Sequence, residues 1–355
     1  MAYRGALTVG LRYGAYGRSA TVIALVAGSV GLITALSVLL LEFGGYDSML
    51  ALAALWNGSV GSVYALTSAT LVRAVPLILA GAAVALAFRA GVFNIGAEGQ
   101  LLVGAAAATV VGAQLSGVLG RVTLPGELIA GMVAGGCWAG IAAWLRARFR
   151  VLEVISTIML NFVALYAVGY LVRGPLQEPL RIYPQSDALP DVARMPKLLL
   201  GSRLHWGLVV AVAVTLFLWW VLRYTAAGFR LRVSGANPAA ARSAGLIDVG
   251  RVTAIGFLSS GMLAGLAGAV ELTGVTFALY ENISPGYGYT AIAVALLARL
   301  DLLAVIGTGF FFGALEAGAS AMQRDAGVPA AFVSIVEAVI VLGVIAFDRL
   351  DTGRL

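Results

Sequence analysis

Charge is scarce in this sequence, and so are the residues that most often carry metal and redox chemistry. Only 11% of the 355 residues are charged, whereas a soluble globular domain carries about 25%. One cysteine (Cys137) and one histidine (His205) occur, so an internal disulfide, a cysteine-rich cluster and a site with two histidine ligands are excluded. The low charge rules out an ordinary soluble enzyme, and metal and redox catalysis are disfavoured.

Apolar residues are what the sequence has in excess. They make up 61% of the chain, and the mean hydropathy is +0.96. A membrane-crossing helix needs about 20 apolar residues, which leaves room for about ten crossings. The predicted fold is an all-α polytopic membrane protein that forms a single domain over residues 1–355. The predicted spans are residues 20–41, 70–88, 96–119, 124–145, 154–172, 205–222, 252–272, 286–298, 302–320 and 330–347.

The basic residues predict the orientation of these spans. The net charge of +6 does not indicate nucleic-acid binding, because the basic residues are scattered between apolar blocks rather than clustered. With the N-terminus inside, fifteen of the 23 basic residues fall on the cytoplasmic side, as the positive-inside rule requires. We therefore expect an N-in, C-in topology, with residues 1–19 cytoplasmic and the first helix uncleaved. Five spans on each side of one large outer loop permit an inverted 5+5 arrangement.

Two loops are longer than the other connections. The extracytoplasmic loop, residues 173–204, holds five of the ten prolines and so cannot be one continuous helix. The cytoplasmic coupling segment, residues 223–251, carries five arginines and one acid. Residues 42–69 are expected to lie on the outer interface or to re-enter. The span at 286–298 is short and follows glycine and proline, as broken helices near a transport pathway do.

A polar string interrupts the apolar pattern between the second and third spans. Asn94, Glu98 and Gln100 lie at the start of an otherwise apolar helix. One interpretation is a helix that Asn94 caps, with Glu98 in the first turn and paired to Arg89. The other is that the string, with its glycines, forms part of a gate or lines the translocation route.

A second polar stretch opens the fifth span. Ser156 and Thr157 are expected to bond to carbonyl groups of their own helix. Asn161 lies a turn deeper, where a polar side chain is costly unless it meets a partner or a water-filled cavity. The same question arises for three polar residues near the end of the chain, namely Glu316, Gln323 and Glu337.

The coupling segment contains a short predicted helix. Residues 235–245 have the pattern of a turn, a helix with Asn237 as its cap and Pro238 at its first position, and a stop at Gly245. A helix this short is not stable alone and needs a partner.

These motifs together resemble a known family. The run of residues 93–100, followed by residues 153–161 and by Gly235-Ala236-Asn237-Pro238, is similar to permease subunits of ABC importers in the branched-chain amino acid and simple-sugar superfamily. The likeness is strongest to the nucleoside importer branch, and Asn-Ile-Gly-x-Glu-Gly-Gln is its most specific part. Ala240, Ala241, Gly245 and Ile255 also fit the spacing of the coupling motif of such permeases, although Ala239 replaces its glutamate.

The resemblance implies a permease that hydrolyses nothing itself. No Gly-Lys-Ser/Thr phosphate loop occurs in the sequence, so ATP would be used by a partner. The implied partners are a second permease subunit, an ABC ATPase, an extracytoplasmic substrate-binding lipoprotein and membrane lipid, in a bacterial or archaeal plasma membrane. No cofactor, metal or catalytic residue is expected. The expected pathway residues are Asn94, Glu98, Gln100 and Asn161, and the expected coupling residues are Gly235, Asn237, Pro238, Ala240, Ala241, Arg242 and Gly245.

Three alternatives stay open at this point. A simple sugar is as well served as a nucleoside by the hydroxyl and amide groups of the spans. A self-sufficient secondary transporter would carry a proton or sodium ion on Glu98, Glu316 or Glu337. An intramembrane enzyme is poorly supported, because the lone His205 at a span edge is typical of an interface residue rather than a general base.

Overall fold

The computed structural model describes residues 31–32, 34–243, 247–329, 331–336, 338–339 and 342. Within these ranges the regular structure is helical, and the extended pairings are two isolated bridges, Gln185 with Tyr280 and Lys197 with His205. The helices are α1 (Thr34–Phe43), α2 (Ser48–Ser59), α3 (Val63–Arg89), α4 (Ala97–Leu119), α5 (Thr123–Phe149), α6 (Glu153–Arg173), α7 (Gly207–Tyr224), α8 (Ala226–Ala236), α9 (Pro238–Ser243), α10 (Val249–Thr276), α11 (Tyr287–Leu297) and α12 (Leu302–Asp325).

Six helical segments of the described chain are long and apolar enough to cross a membrane. They are α3, the run of α4 and α5, α6, α7, α10 and α12. One predicted crossing is missing because α11, with 11 residues, rises only about 16 Å against a hydrocarbon core of about 30 Å, and two others are joined in the run of α4 and α5. The first predicted span is described only from α1, and most of residues 330–347 lies outside the described ranges, as do residues 1–19.

The run of α4 and α5 is a helical hairpin. Its 53 residues would extend about 80 Å if straight, far more than a bilayer needs. The chain instead reverses at Gly120, whose φ of +52° suits glycine. A Cβ on Gly126 would lie 3.5 Å from Val111, so the second helix returns along the first. The two predicted spans at 96–119 and 124–145 correspond to these two helices.

The chain divides into two compact units. The first comprises residues 1–58 and 318–355, and its described core contains Leu41, Ala51, Met322 and Val333. The second comprises residues 59–317 and holds all the site residues discussed below.

Helix α3 lies at the centre of the second unit. Its residues from Ala74 to Ala87 are all buried, as expected for a helix that is apolar on every side. Helices α10, α11 and α7 pack against it. Helix α10 also packs against α4 and α5, and glycines allow this close approach: a Cβ on Gly265 would lie 2.9 Å from the Cα of Gly135. The glycines of α10 thus serve helix packing.

The proline-rich loop, residues 173–204, belongs to the second unit. Between α6 and α7 it forms turns and one 3₁₀ turn at Asp191–Ala193, in agreement with the prediction that no continuous helix exists there. Its backbone bonds to the end of α10 and to the connection that follows: Met195 N–H donates to Thr273 O (2.8 Å) and Leu189 N–H donates to Phe277 O (2.7 Å).

Candidate functional site

The four residues predicted to form a gate lie together in one buried cluster, which we call the polar junction. Asn94, Glu98, Gln100 and Asn161 are at most 7% exposed. The non-helical residues 90–96 bring Asn94 into the protein, the first turn of α4 carries Glu98 and Gln100, and α6 carries Asn161.

Asn94 stabilises the non-helical entry to α4. Its Oδ1 accepts a hydrogen bond from Gly96 N–H (2.9 Å), which makes an Asx turn, and its Nδ2 donates to Gln100 (3.0 Å) and to Ser260 on α10 (2.9 Å). The expectation that Asn94 caps α4 is wrong: Gly96 occupies the cap position, without a side-chain cap. The side chain bonds instead to the turn before the helix and to its neighbours.

Glu98 joins the starts of two helices. Its Oε2 accepts a hydrogen bond from the backbone N–H of Gly288 in α11 (2.7 Å). The proposed pairing of Glu98 with Arg89 is wrong, because Arg89 lies 3.5 Å from Asp301, at the turn before α12. A carboxylate between two helix N-termini is favourably placed, since both termini carry unpaired N–H groups and partial positive charge.

Asn161 holds the same region from α6. Its Oδ1 accepts from Gly99 N–H (2.8 Å), and its Nδ2 donates to Ile95 O (2.9 Å) and to the Tyr289 hydroxyl (3.3 Å). One side chain therefore bonds α4, the segment before it and α11. Ser156 and Thr157 bond to Glu153 O in their own helix, as predicted.

The polar junction thus includes residues that sequence reasoning missed. Ser260, Gly288 and Tyr289 complete it, and a Cβ on Gly288 would lie 2.7 Å from the carbonyl carbon of Ala97. The sequence signal for this contact was the short, glycine-interrupted span at 286–298, but its partner helix was not predictable. With its amides and carboxylate bonded largely to backbone groups, the arrangement fixes the positions of segments.

The coupling segment forms α8 and α9. Asn237 Oδ1 accepts from Ala240 N–H (3.0 Å), so its predicted capping role is confirmed, and Pro238 begins α9. Gly235 lies within α8 rather than in a turn, which corrects the predicted start of the motif. The remaining predicted residues divide into buried Ala241, exposed Ala240 and Arg242, and Gly245, which lies outside the described residues.

Gly235 is where the coupling segment touches the core. A Cβ at this position would lie 2.9 Å from the backbone nitrogen of Gly91 and would meet the carbonyl oxygen of Arg89. Only glycine allows this approach of α8 to the turn after α3. The contact lies three residues before Asn94, so α8 rests directly on the segment that leads into the polar junction.

A second group of charges occurs near the other end of α3. Glu271 is 4% exposed and close enough to Arg73, Arg203 and Glu316 for electrostatic interaction. Glu316, singled out from the sequence, is half-buried in α12, whereas Gln323 is exposed and Glu337 lies outside the described residues. Sequence reasoning missed Glu271, although an acid at the end of a long apolar run was a usable signal. No cluster of three or more potential metal ligands occurs in the described ranges.

His205 is a packed residue rather than an interface residue. It is 1% exposed, its Nδ1 accepts from Gly207 N–H (3.1 Å), and its ring lies against Gly274. Burial, with a smaller effect from Arg203, lowers the pKa of His205 to about 4. The ring is neutral at physiological pH and has no nucleophile beside it.

Within the described residues, six helical segments able to cross a membrane, with a buried polar junction among them, define a multi-pass membrane protein. Residues 66–345 match the family described as branched-chain amino acid transport system / permease component, and the chain belongs to it. No solved structure matches the chain.

Curated relatives are transport permeases. The chain is 43% identical to the glucose ABC transporter permease protein TsgB13 of Haloferax volcanii, over 80% of this chain and 77% of the relative. It is 39% identical to the guanosine ABC transporter permease protein NupP of Bacillus subtilis, over 77% and 79%. It is 30% identical to the nucleoside ABC transporter permease protein NupB of Lactococcus lactis, over 75% of each chain.

Proposed function

We propose that this chain is the membrane-spanning subunit of an ATP-driven importer of nucleosides in the cytoplasmic membrane. The observation that carries the proposal is the match to the permease family over residues 66–345. Similarity to guanosine and nucleoside permeases supports the substrate class. The chain is a transport subunit, and ATP is hydrolysed by a separate ATPase.

Glucose is the second candidate substrate. The relative that is named as a glucose permease is 43% identical to this chain, and the relative that is named as a guanosine permease is 39% identical. Both substrates are neutral and rich in hydroxyl groups, so overall similarity does not separate them. Uptake of each has to be measured in the same assay.

In this proposal the polar junction is a gate. Asn94, Glu98, Gln100 and Asn161 tie the non-helical segment before α4 to α10, α6 and α11. Hydrogen bonds of this kind have two discrete states, made or broken, and so suit an element that opens and closes. Nucleosides would pass when these bonds rearrange.

The coupling segment transmits ATPase movement in this proposal. Exposed Ala240 and Arg242 would face the ATPase, while buried Ala241 and half-buried Gly235 contact the permease. Arg146 and Arg242 also line a cavity of about 250 Å³ beside α10, where Arg146 is paired with Glu153 (3.1 Å) and Arg242 supplies positive charge. We further infer that a second permease subunit and an extracytoplasmic binding lipoprotein complete the importer, in the N-in, C-in topology and with up to ten crossings.

The test is reconstituted transport. The chain is co-expressed with its neighbouring permease and ATPase genes, placed in proteoliposomes and supplied with the binding protein. Labelled adenosine, guanosine and glucose are offered with ATP, with a non-hydrolysable ATP analogue, and with proton or sodium gradients. ATP-dependent nucleoside uptake supports the proposal, and ATP-dependent uptake of glucose alone favours the sugar. Uptake by the purified chain driven by an ion gradient would overturn it in favour of secondary transport.

A further inference from the structure

A cleft opens where the proline-rich loop meets the end of α10. Its volume is about 720 Å³, within the range of small-molecule sites. Its walls include Asp191, Arg194 and Arg203 from the loop and Phe277 from the connection after α10. None of these residues belongs to the polar junction or to the coupling segment.

Phe277 has an unusual backbone conformation. Its φ is +56° and its ψ is 4°, a left-handed conformation that is a genuine outlier for a bulky side chain. It follows directly on a π turn at Leu272–Thr276. Such turns and strained residues occur often at functional sites, because the surrounding structure must stabilise them. Here the hydrogen bond from Leu189 N–H to Phe277 O helps to hold the ring at the cleft wall.

The ring of Phe277 is paired with a fixed guanidinium group. The Arg194 guanidinium carbon lies 5.2 Å from the ring centroid. Arg194 is itself held by a hydrogen bond to Leu189 O (2.9 Å) and an ion pair with Asp191 (2.9 Å). The Phe277 ring and the Arg194 guanidinium group therefore lie together at one wall of the cleft. Flat groups of this kind pack well against a planar ring.

A buried acid lies close to this wall. Glu271 immediately precedes the π turn and interacts electrostatically with Arg203, which lines the cleft. The same acid also raises the pKa of the nearby Tyr280 hydroxyl, after the larger effect of burial. The charged residues that line the cleft itself are Asp191, Arg194, Lys197 and Arg203.

The proline-rich loop fastens both sides of the cleft region. A second π turn occurs at Leu66–Thr70 in α3, and its Ser68 hydroxyl accepts from Arg203 N–H (3.2 Å). Met195 N–H pairs with Thr273 O in the first π turn (2.8 Å). This loop therefore forms hydrogen bonds to irregular turns on two neighbouring helices, α3 and α10. These bonds fix the shape of the cleft.

We propose that this cleft is a binding station for a planar ring compound with hydroxyl and amine groups, such as a nucleoside. The planar ring packs against Phe277 and Arg194, and the hydroxyl and amine groups donate to Asp191. A hexose lacks the planar ring and fits this wall less well. The inference rests on the proposed function and adds to it a site on the permease itself.

Cysteine labelling tests the station directly. In a Cys137→Ser background, a Val275→Cys variant places one thiol in the cleft, because Cys137 is the sole cysteine of the sequence. The assembled permease and ATPase, without binding protein, is treated with a maleimide in the presence of adenosine, guanosine or glucose. At nucleoside concentrations ten times above the dissociation constant, labelling should slow about tenfold, while glucose has no effect.

Variants at Phe277 test the role of the ring. Both variants keep a bulky residue in the same backbone conformation. Phe277→Leu removes the planar ring and should abolish protection by adenosine, whereas Phe277→Trp keeps a planar ring and should retain protection. Phe162→Leu on α6, whose side chain is 48% exposed, is the matched control and should leave protection unchanged. Protection that persists in Phe277→Leu would overturn the role of the ring.

The remaining outcomes separate this inference from the proposed function. Protection by the binding protein, loaded or empty, without any protection by free nucleosides would show a protein-docking surface and overturn the station. Protection by glucose but not by nucleosides would overturn the planar ring. If the wild-type importer takes up nucleosides with ATP and no nucleoside protects Val275→Cys, the station fails and the proposed function stands. If the wild type takes up no nucleoside, the proposed function fails.

Discussion

A single amide side chain holds several segments of the polar junction together through hydrogen bonds. Asn161 bonds to Gly99, Ile95 and Tyr289, and two of these bonds are to buried backbone groups. Asn161→Ala leaves these two groups unpaired, which should cost about 2–6 kcal/mol of stability at roughly 1–3 kcal/mol per group. Thermal unfolding in detergent measures the loss. Met159→Ala, on the exposed side of the same helix, is the control, and an equal loss there would contradict the assigned role.

Glycine at position 288 is required by the contact between α4 and α11. A Cβ there would lie 2.7 Å from the carbonyl carbon of Ala97, and no flexible side chain is available to yield. Gly288→Ala should therefore destabilise by more than about 3 kcal/mol, or prevent folding. At Gly307 in α12 nothing lies within 4 Å of the added Cβ. Gly307→Ala should be neutral or stabilising by up to about 1 kcal/mol, and similar melting curves for the two variants would refute the contact.

His205 predicts a pH dependence of stability. Its folded pKa of about 4 lies below the unfolded value of about 6.5, so the folded protein favours the neutral ring. The contribution is fully present above pH 6.5 and is lost as the pH falls towards 4, by up to about 3 kcal/mol. Melting temperatures from pH 7.5 to 4.5 measure the slope. His205→Asn keeps an acceptor for Gly207 N–H but cannot titrate, so its slope should be smaller; an unchanged slope would assign the effect to other groups.

Residue types were predictable where the cause is local, and partners were not. Asn237 caps α9 because a cap depends on residues within one turn, and Ser156 and Thr157 bond to their own helix for the same reason. Glu98 accepts a bond from Gly288, 190 positions away, and no local rule selects that partner over Arg89. The sequence thus indicated which polar residues belong to the candidate site but not how they connect.

Among the elements, α8 carries the most direct consequence for transport. Gly235 brings its backbone onto the turn at Arg89 and Gly91, which leads into the polar junction. Gly235→Val should push α8 away and break this route, so that uptake per ATP hydrolysed falls by about tenfold or more while hydrolysis continues. Gly126→Ala, where the added Cβ would meet only ordinary contacts at 3.5 Å and beyond, is the control. Tightly coupled uptake in Gly235→Val would exclude this contact as the route.

Helices were predictable from the length of their apolar runs, and their depth was not. Residues 96–119 and 154–172 match α4 and α6 closely because an apolar run of this length forms a helix in any apolar setting. Helix α11 has the same composition, but its start meets Glu98 inside the protein rather than at a surface. Such long-range contacts decide how deep in the protein a helix begins, and a hydropathy pattern does not predict them.

At the scale of the whole molecule, orientation follows from the distribution of charge. Fifteen of the 23 basic residues lie on the side predicted to be cytoplasmic, so the coupling segment should face the cytoplasm and the proline-rich loop the outside. In a Cys137→Ser background, Leu200→Cys places a thiol on a fully exposed loop position and Ala239→Cys places one on α9. An impermeant maleimide applied to intact cells should label the first, and the second only after permeabilisation. The reverse pattern would invert the topology and remove the coupling segment from the reach of any cytoplasmic ATPase, whereas labelling of both in intact cells would contradict a span between them.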